Sequence, residues 1–462
     1  MPSSHGQRPI SPTRAWLVLC AMSMLQFLLA VDVTVVNIAL PSIGRDLGAA
    51  GRSLTWVVVG YTIAGGGLLM LGGRLADLLG RRRMLLAGAF LFGAASLLAG
   101  LAPTFEVLVL ARLLQGAGEA TALPAAMATV VVLFPEGPRR SRALGVWTAV
   151  ASGGLVLGYV LSGVITARLG WRWTFLLPVP VILGVIAAAL LLIEADRSVA
   201  RPSGPLDVPG TLLITACPLL FAYGVVEAGE PGMNPWLSAA VLAGAALAGG
   251  AFLRVEARCA HPLVPRGFFA HRARIAANVT TMLLSGALST SFLLFTFYLQ
   301  DVLRIGPLAA GLMMLPMGVA TIAASLLVPR VLGRWGARAC VLAGLGLTTG
   351  AMATIALVAV LEAGAAWLIP AMVLVAAGMC FGLIGLQYLA VSGTTGEDAG
   401  IASGMQRAVD QLGGACGVTV YVGIGFAPGL HTANPFVLAA VLAAAGLLIG
   451  ALVAHRRPAR RR

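Results

Sequence analysis

The sequence predicts an all-α polytopic membrane protein with fourteen transmembrane helices. Of its 462 residues, 59% are hydrophobic and only 10% are charged, too few charged side chains to cover a water-soluble surface. Apolar stretches of roughly 20 residues, each long enough to cross a ~30 Å hydrocarbon core, recur along the whole chain. They are too long and continuous for the alternating strands of a barrel, so helices must satisfy their backbone groups in lipid.

Span length and flanking charge place the fourteen helices. The first apolar stretch carries Asp32 and ends in Asn37 and Pro41 rather than in a small-residue cleavage site, so we expect a retained span and not a signal peptide. The connections are short, and none resembles a folded insertion. The predicted spans are 15–39, 53–73, 84–102, 107–133, 142–166, 172–193, 209–229, 236–253, 275–299, 308–329, 338–360, 366–391, 400–425 and 434–454.

The positions of the arginines predict the orientation. The net charge is +14, and all 31 basic residues are arginine. If the N-terminus is cytoplasmic, 24 arginines fall in cytoplasmic segments and only five lie outside. The positive-inside rule then places both termini in the cytoplasm. This distribution accounts for the charge without nucleic acid, because the Arg-rich C-terminal tail would lie at anionic lipid headgroups.

A faint internal repeat divides the chain. The loop after the second span reads GGRLADLLGRRRML, and the loop after the tenth reads PRVLGRWGARACVL, a weaker copy of Gly, Arg and Gly along a basic turn. We therefore predict a six-helix bundle in residues 1–200, an inserted pair of spans with a linker in 201–265, and a second six-helix bundle with the basic tail in 266–462. Two repeated bundles around a central path are typical of a rocking transporter.

The sequence carries no signature of an enzyme or of a metal centre. Its six cysteines form no CxxC pair, and its five histidines lie at span ends or in tails. It contains neither a Walker motif nor a nucleophile elbow. We therefore predict no enzymatic activity, no metal and no cofactor, and an ion gradient rather than ATP as the energy source.

The loop after the second span carries the most specific motif. It resembles the G-x-L-a-D-r-x-G-r-k loop of the major facilitator superfamily, specifically of its fourteen-span drug:proton antiporter branch, with Leu78 replacing a usual basic residue. The resemblance covers almost the whole chain and implies the major facilitator fold. In that family the Asp and Arg form a latch between the cytoplasmic ends of the two halves; the alternative is a mere topology signal. The matching residues are Gly73, Leu75, Ala76, Asp77, Gly80, Arg81 and Arg82.

Spans 1 and 4 carry charges that need partners. VDVTVVNIALP (31–41) and RLLQGAGEA (112–120) are similar to family signatures of these spans. A charge in mid-span costs ~2.5–3.5 kcal/mol, and a rise of 1.5 Å per residue puts Asp32 ~14 Å and Arg112 ~9 Å below the outer edge. We expect the two to pair, with Asn37 and Gln115 beside them, either in a transport cavity or as a static ion pair.

Two further carboxylates lie near the midplane. Glu119, where the family usually has a small residue, shares a helix face with Arg112 and is either a cavity residue or a protonated acid bonded to a neighbouring helix. Asp410 stands where the branch usually has Arg, and either binds a proton or a cationic substrate or is neutralised by Arg407. We expect Glu119 and Asp410 to carry the protons, because Arg112 would hold Asp32 ionised.

Span 5 retains an eroded form of the family's antiporter motif. Gly154, Gly158 and Ser162 recur every fourth residue, followed by Gly163, and permit close helix approach, but Tyr159 replaces the proline. The resemblance implies a monomer in the bacterial plasma membrane that exports small amphipathic molecules in exchange for protons. The lost proline keeps open a proton symporter or facilitator that imports a metabolite, and a non-transporting receptor is a further alternative.

Overall fold

The computed structural model describes residues 11–49, 51–134, 137–194, 207–227, 235–259, 272–392, 396–425 and 434–455. These segments are almost entirely helical and contain no strand. The elements are α1 (Pro12–Leu47), a 3₁₀ turn (Gly51–Leu54), α2 (Thr55–Leu79), α3 (Arg81–Gly100), α4 (Phe105–Leu133), α5 (Pro138–Arg168), α6 (Arg172–Leu176), α7 (Pro178–Leu192), α8 (Val208–Glu227), α9 (Pro235–Arg258), α10 (Arg272–Phe297), a π turn (Tyr298–Val302), α11 (Pro307–Met313), α12 (Leu315–Val360), a 3₁₀ turn (Ala365–Leu368), α13 (Ile369–Val391), α14 (Gly396–Gly425) and α15 (Pro435–His455).

Each predicted span overlaps a helix, but the divisions differ in two places. The sixth predicted span is divided into α6 and α7, which begins at Pro178. The tenth and eleventh fall together in α11 and α12, where Gly336 adopts φ 82° and ψ 168° and breaks the helix. Within the described residues, eleven helical stretches are long and apolar enough to cross a membrane, one of them being the 54-residue stretch Pro307–Val360.

Large apolar side chains on the outside of the bundle match a lipid-facing surface. Leu247 on α9 is 73% exposed, and Leu326 on α12 and Phe90 on α3 are each 67% exposed. Apolar side chains at this density would aggregate in water and are stable against acyl chains.

The buried core is continuous across the molecule at one end only. At the end where α1 terminates, one apolar cluster joins the last turns of α1 and the first turns of α2 and α4 to α10, α12, α13 and α15. The Gln300 side chain also donates to the Ile38 carbonyl there, at 2.8 Å. At the other end, a separate cluster is built from α1 to α5 and α7 alone.

Helices α1 to α7 are called the first group below, and α10 to α15 the second group. Helices α2 and α14 pack against each other and link the two groups nearer the end where α1 begins. Met70 of α2 and Met405 of α14 pack around the buried Ala402. Helices α8 and α9 pack together, and α8 contacts both α2 and α14. Helix α8 therefore covers the α2–α14 seam, and α9 packs on α8.

Candidate functional site

Asp32 and Arg112 form the ion pair that the depth estimate predicts. The Arg112 Nη1 donates to Asp32 Oδ2 at 2.6 Å and to Gln115 Oε1 at 2.9 Å, and its Nε donates to the Val57 carbonyl at 2.8 Å. Gln115 Nε2 donates in turn to Asp32 Oδ1 at 3.3 Å and to Ser96 Oγ at 2.8 Å. The pair thus joins α1, α2, α3 and α4.

This pair is closed off from solvent in the structure. The side chains of Arg112 and Asp32 are only 1% and 2% exposed. The guanidinium carbon lies 4.2 Å from the centre of the Tyr61 ring, so the arginine is stacked as well as hydrogen-bonded. In this arrangement the pair joins four helices out of contact with solvent, as a static ion pair would.

Asn37 lies one helical turn above this cluster on α1. It is buried, and its Nδ2 donates to the Val33 carbonyl at 3.3 Å, while its Oδ1 has no hydrogen-bond partner among the described residues. The Tyr159 side chain of α5 faces it. Asn37 is therefore buried beside the ion pair without joining it.

Glu119 reaches across the molecule to α14. It is buried, with 3% of its surface exposed, and its Oε1 accepts from Gln411 Nε2 at 3.2 Å. The contact passes over Gly65 of α2, where a side chain would leave no room. Glu119 thus accepts a hydrogen bond from α14, an arrangement that both of its predicted alternatives allow.

Asp410 turns toward α10 rather than toward its helical neighbour Arg407. The Ser285 hydroxyl donates to Asp410 Oδ1, and no ion pair between Asp410 and Arg407 is present in the described part of the chain. Arg407 is exposed and acts electrostatically on both Glu119 and Asp410. The proposed neutralising i, i+3 pair is therefore not formed among the described residues.

The predicted gating loop forms a tight turn between α2 and α3. Gly80 has φ 101°, a conformation that favours glycine, and α3 begins directly at Arg81. Gly73 faces α4, where a Cβ would lie 3.9 Å from Pro124. The glycine spacing of the motif therefore has a local explanation in the turn.

Arg82 of this loop binds a helix of the first half of the chain. Arg82 donates to the carbonyls of Ala189 and Leu190, at 3.4 and 2.7 Å, and so binds the C-terminal end of α7 within the first group of helices. Asp77 is exposed and has no hydrogen bond or ion pair among the described residues.

The small residues of α5 pack against α1. A Cβ at Gly154 would lie 2.9 Å from a carbonyl oxygen of α1, and one at Gly158 would collide with the Thr34 hydroxyl. Ser162 Oγ donates to the Val35 carbonyl at 2.5 Å. The four-residue repeat thus provides the close helix approach that its spacing predicts.

Gly163 packs against the second group of helices instead. A Cβ there would lie 2.7 Å from the Pro307 carbonyl and 3.3 Å from the Gly311 Cα, both in α11. The eroded motif therefore has two faces, one toward α1 and one toward α11, at the end of the bundle where α1 terminates.

A family model described as Major Facilitator Superfamily matches residues 22–418, most of the chain. The chain belongs to the major facilitator superfamily. The resemblance drawn from the loop and span motifs is confirmed. As a member of a transporter family, the protein is a non-enzymatic transporter of small molecules.

Relatives within the superfamily are resistance and export proteins. The chain is 49% identical to the lincomycin resistance protein of Streptomyces lincolnensis, over 95% of this chain and 90% of the relative. It is 39% identical to the cephamycin export protein of Amycolatopsis lactamdurans, over 85% and 82% of the two. A peptide transporter of the POT family shares the fold, with a TM-score of 0.71 at 15% identity over 94% of each chain.

Within this major facilitator chain, sequence reasoning missed three polar side chains of the site. These are Tyr61, Ser285 and Gln411, of which the last two bind the midplane carboxyls and the first stacks on Arg112. The sequence offered one signal for Gln411, a second polar side chain directly after Asp410 within an apolar span. In the described residues no group of three His, Cys, Asp or Glu side chains converges on a metal site, and none of the six cysteines forms a disulfide.

Proposed function

We propose that this chain exports small amphipathic molecules, of the antibiotic or secondary-metabolite class, across the bacterial plasma membrane in exchange for protons. The observation that carries the proposal is the match along nearly the whole chain to a lincomycin resistance protein. Proton coupling is supported by Glu119 and Asp410, two carboxyls at mid-membrane that no arginine pairs in the described residues.

We further propose fourteen spans, arranged as a six-helix bundle within 1–200, an inserted pair within 201–265 and a second bundle within 266–462. The break at Gly336 supports two spans within α11 and α12, and α14 and α15 supply the last two. The contacts of α8 support its place in an inserted pair.

The arginine distribution supports cytoplasmic termini and anionic lipid headgroups at the cytoplasmic face of a monomer. In that orientation the continuous core lies at the extracellular end, so the described arrangement is one closed toward the outside. Alternating access would require the α1–α10 and α5–α11 contacts to separate, and a cytoplasmic latch to form in their place.

Susceptibility tests decide the transport proposal. Expression in a pump-deficient bacterium should raise the inhibitory concentration of at least one compound in a panel that includes lincomycin and cephamycins, and a variant lacking Asp77 should not. Unchanged susceptibility to the whole panel at normal abundance would contradict export.

Tyr159 in place of the motif proline favours the import alternative. The direction of flux of a candidate compound in everted vesicles separates import from export.

Asp77→Asn is expected to leave the protein folded and inserted but to reduce transport sharply. The amide keeps the shape of the carboxylate but cannot make the charge-assisted bonds of a latch that forms only when the cytoplasmic end closes. The measurement is resistance conferred per unit of membrane protein. Glu194→Gln is the matched control, because Glu194 is an exposed carboxylate near the same end, paired with Arg14; normal transport by the Asp77 variant would refute the latch.

A thiol-accessibility test checks the topology. With the native cysteines replaced by alanine, a cysteine beside Gly137 should be shielded from an impermeant thiol reagent added to intact cells, whereas one beside Gly229, which lies outside the described residues, should react. The expected difference follows from the charge bias of the loops. Labelling of the first cysteine and protection of the second would show the opposite orientation and contradict the prediction.

A further inference from the structure

Two buried oxygens without partners lie near Gly65, where α2 meets α14. Glu119 Oε2 on α4 and Gln411 Oε1 on α14 make no hydrogen bond among the described residues. A Cβ at Gly65 would lie 3.3 Å from the first and 2.7 Å from the second, so both oxygens flank one point on α2. Both are acceptors, so a proton carried by the Glu119 carboxyl would supply the donor that this site lacks.

The chemistry of the two groups identifies that proton. An ionised carboxylate only accepts hydrogen bonds, so it makes one bond with a primary amide, the Gln411 Nε2 to Glu119 Oε1 bond at 3.2 Å. A protonated carboxylic acid also donates, and its O–H can bond the amide oxygen. Acid and amide then form a cyclic pair with two hydrogen bonds that satisfies both oxygens.

We propose that Gln411 senses the protonation of Glu119 across the two halves, so that proton uptake closes the α2–α14 seam and proton release loosens it. The inference rests on the proposed proton coupling and adds its conformational consequence. Protonation supplies the second inter-half hydrogen bond and removes a buried charge, and both changes favour the packed seam. Deprotonation leaves one hydrogen bond and a carboxylate that is better solvated when the seam opens.

Other titratable and charged groups face Glu119 from the packed helices. The Tyr61 hydroxyl of α2 is the other group within hydrogen-bonding reach of its carboxyl, Asp32 of α1 and Arg407 of α14 act on it electrostatically, and Arg112 lies two turns earlier on α4. Arg112 is ion-paired with Asp32, and Arg407 is exposed. Among these neighbours in the described residues, only Gln411 joins Glu119 to the other half by a hydrogen bond.

Gly65 makes this arrangement sterically possible. A methyl group at this position would contact both Gln411 and Glu119, and the neighbouring Gly66 brings the α2 backbone against Ala408 and Leu412 of α14. Gly65, Glu119 and Gln411 each lie near the middle of their helices. Helices α2 and α14 therefore meet at mid-membrane. A change in hydrogen bonding there affects the packing of the helices toward both membrane faces.

The test measures the seam directly and needs no substrate. Nitroxide labels at Leu79 and Tyr388, exposed positions near one end of α2 and α13, report the distance between the halves in purified, reconstituted protein with its native cysteines replaced by alanine. Between pH 5 and 8.5 the ratio of short to long distances should fall, by up to about tenfold per pH unit for one linked proton. A distance distribution independent of pH would overturn the proposal, whether or not the protein transports.

Four variants identify the residues responsible for the pH response of the distance. Glu119→Gln should hold the short distance at every pH, because two amides also form a doubly bonded pair, and Gln411→Leu should lose the pH response. Exchanging the two residues, Glu119→Gln with Gln411→Glu, should restore it. Tyr61→Phe is the matched control and should keep it. A response abolished by Tyr61→Phe but retained by Gln411→Leu would move the sensor to the tyrosine and refute the assignment.

Discussion

Replacing Arg112 with leucine is expected to destabilise the protein by about 3–5 kcal/mol, the usual cost of removing one partner from a buried ion pair. The Asp32 carboxylate would remain in a site from which solvent is excluded, and the Val57 carbonyl and Gln115 Oε1 would each lose a donor. The expected result is a large fall in membrane abundance and in the thermal unfolding midpoint in detergent.

Two comparisons isolate the buried charge as the cause. Adding Asp32→Asn to Arg112→Leu removes the stranded charge and should recover part of the lost stability. Arg14→Leu breaks an exposed pair with Glu194, at 33% and 57% exposure, and should cost only about 0–1 kcal/mol. An Arg112 variant as stable as the wild type, or a double variant no better than the single one, would contradict this stabilising role of the ion pair.

The amino-acid sequence was sufficient to predict an all-helical membrane protein and this ion pair. Apolar length places a helix, because a span must satisfy its own backbone in lipid. Counting residues from a helix end gives depth, and depth alone brought Asp32 and Arg112 into one layer.

Depth does not fix the direction in which a side chain points around its helix. Asp410 was expected either to bind a proton or a cationic substrate or to pair with Arg407, but it accepts a hydrogen bond from Ser285 on α10, and Gln411 one position later makes the contact with Glu119. Adjacent residues on a helix point about 100° apart, so an error of one residue in the predicted rotation exchanges their partners. The packing that sets this rotation is a long-range property absent from any single span.

The gating loop shows a second limit of sequence reasoning. The motif predicts the turn at Gly80, which depends on local backbone geometry. It does not determine whether Arg82 and Asp77 bind across the halves, because a transporter has more than one arrangement of the same chain. Here Arg82 binds the end of α7, and Asp77 is exposed at the end where the apolar core is divided.

Glu119→Gln and Asp410→Asn are each expected to abolish transport driven by an imposed pH gradient while substrate binding is retained. Both replacements keep the size and hydrogen-bonding shape of the side chain but remove the group that takes up and releases a proton. Glu119 lies at the α2–α14 seam and Asp410 beside Ser285 of α10, so the two carboxyls would load protons at two separate contacts.

The measurement uses proteoliposomes loaded with the compound that the susceptibility panel identifies, with binding followed separately in detergent. Asp32→Asn is the matched control, because Asp32 is a buried carboxyl in the first half that is ion-paired with Arg112, whereas neither midplane carboxyl has an arginine partner within the described residues. That variant should lose stability or binding, and any protein that remains folded should still respond to the pH gradient. If both midplane variants continue to move the compound against its concentration gradient, the protons cross by a route that uses neither carboxyl.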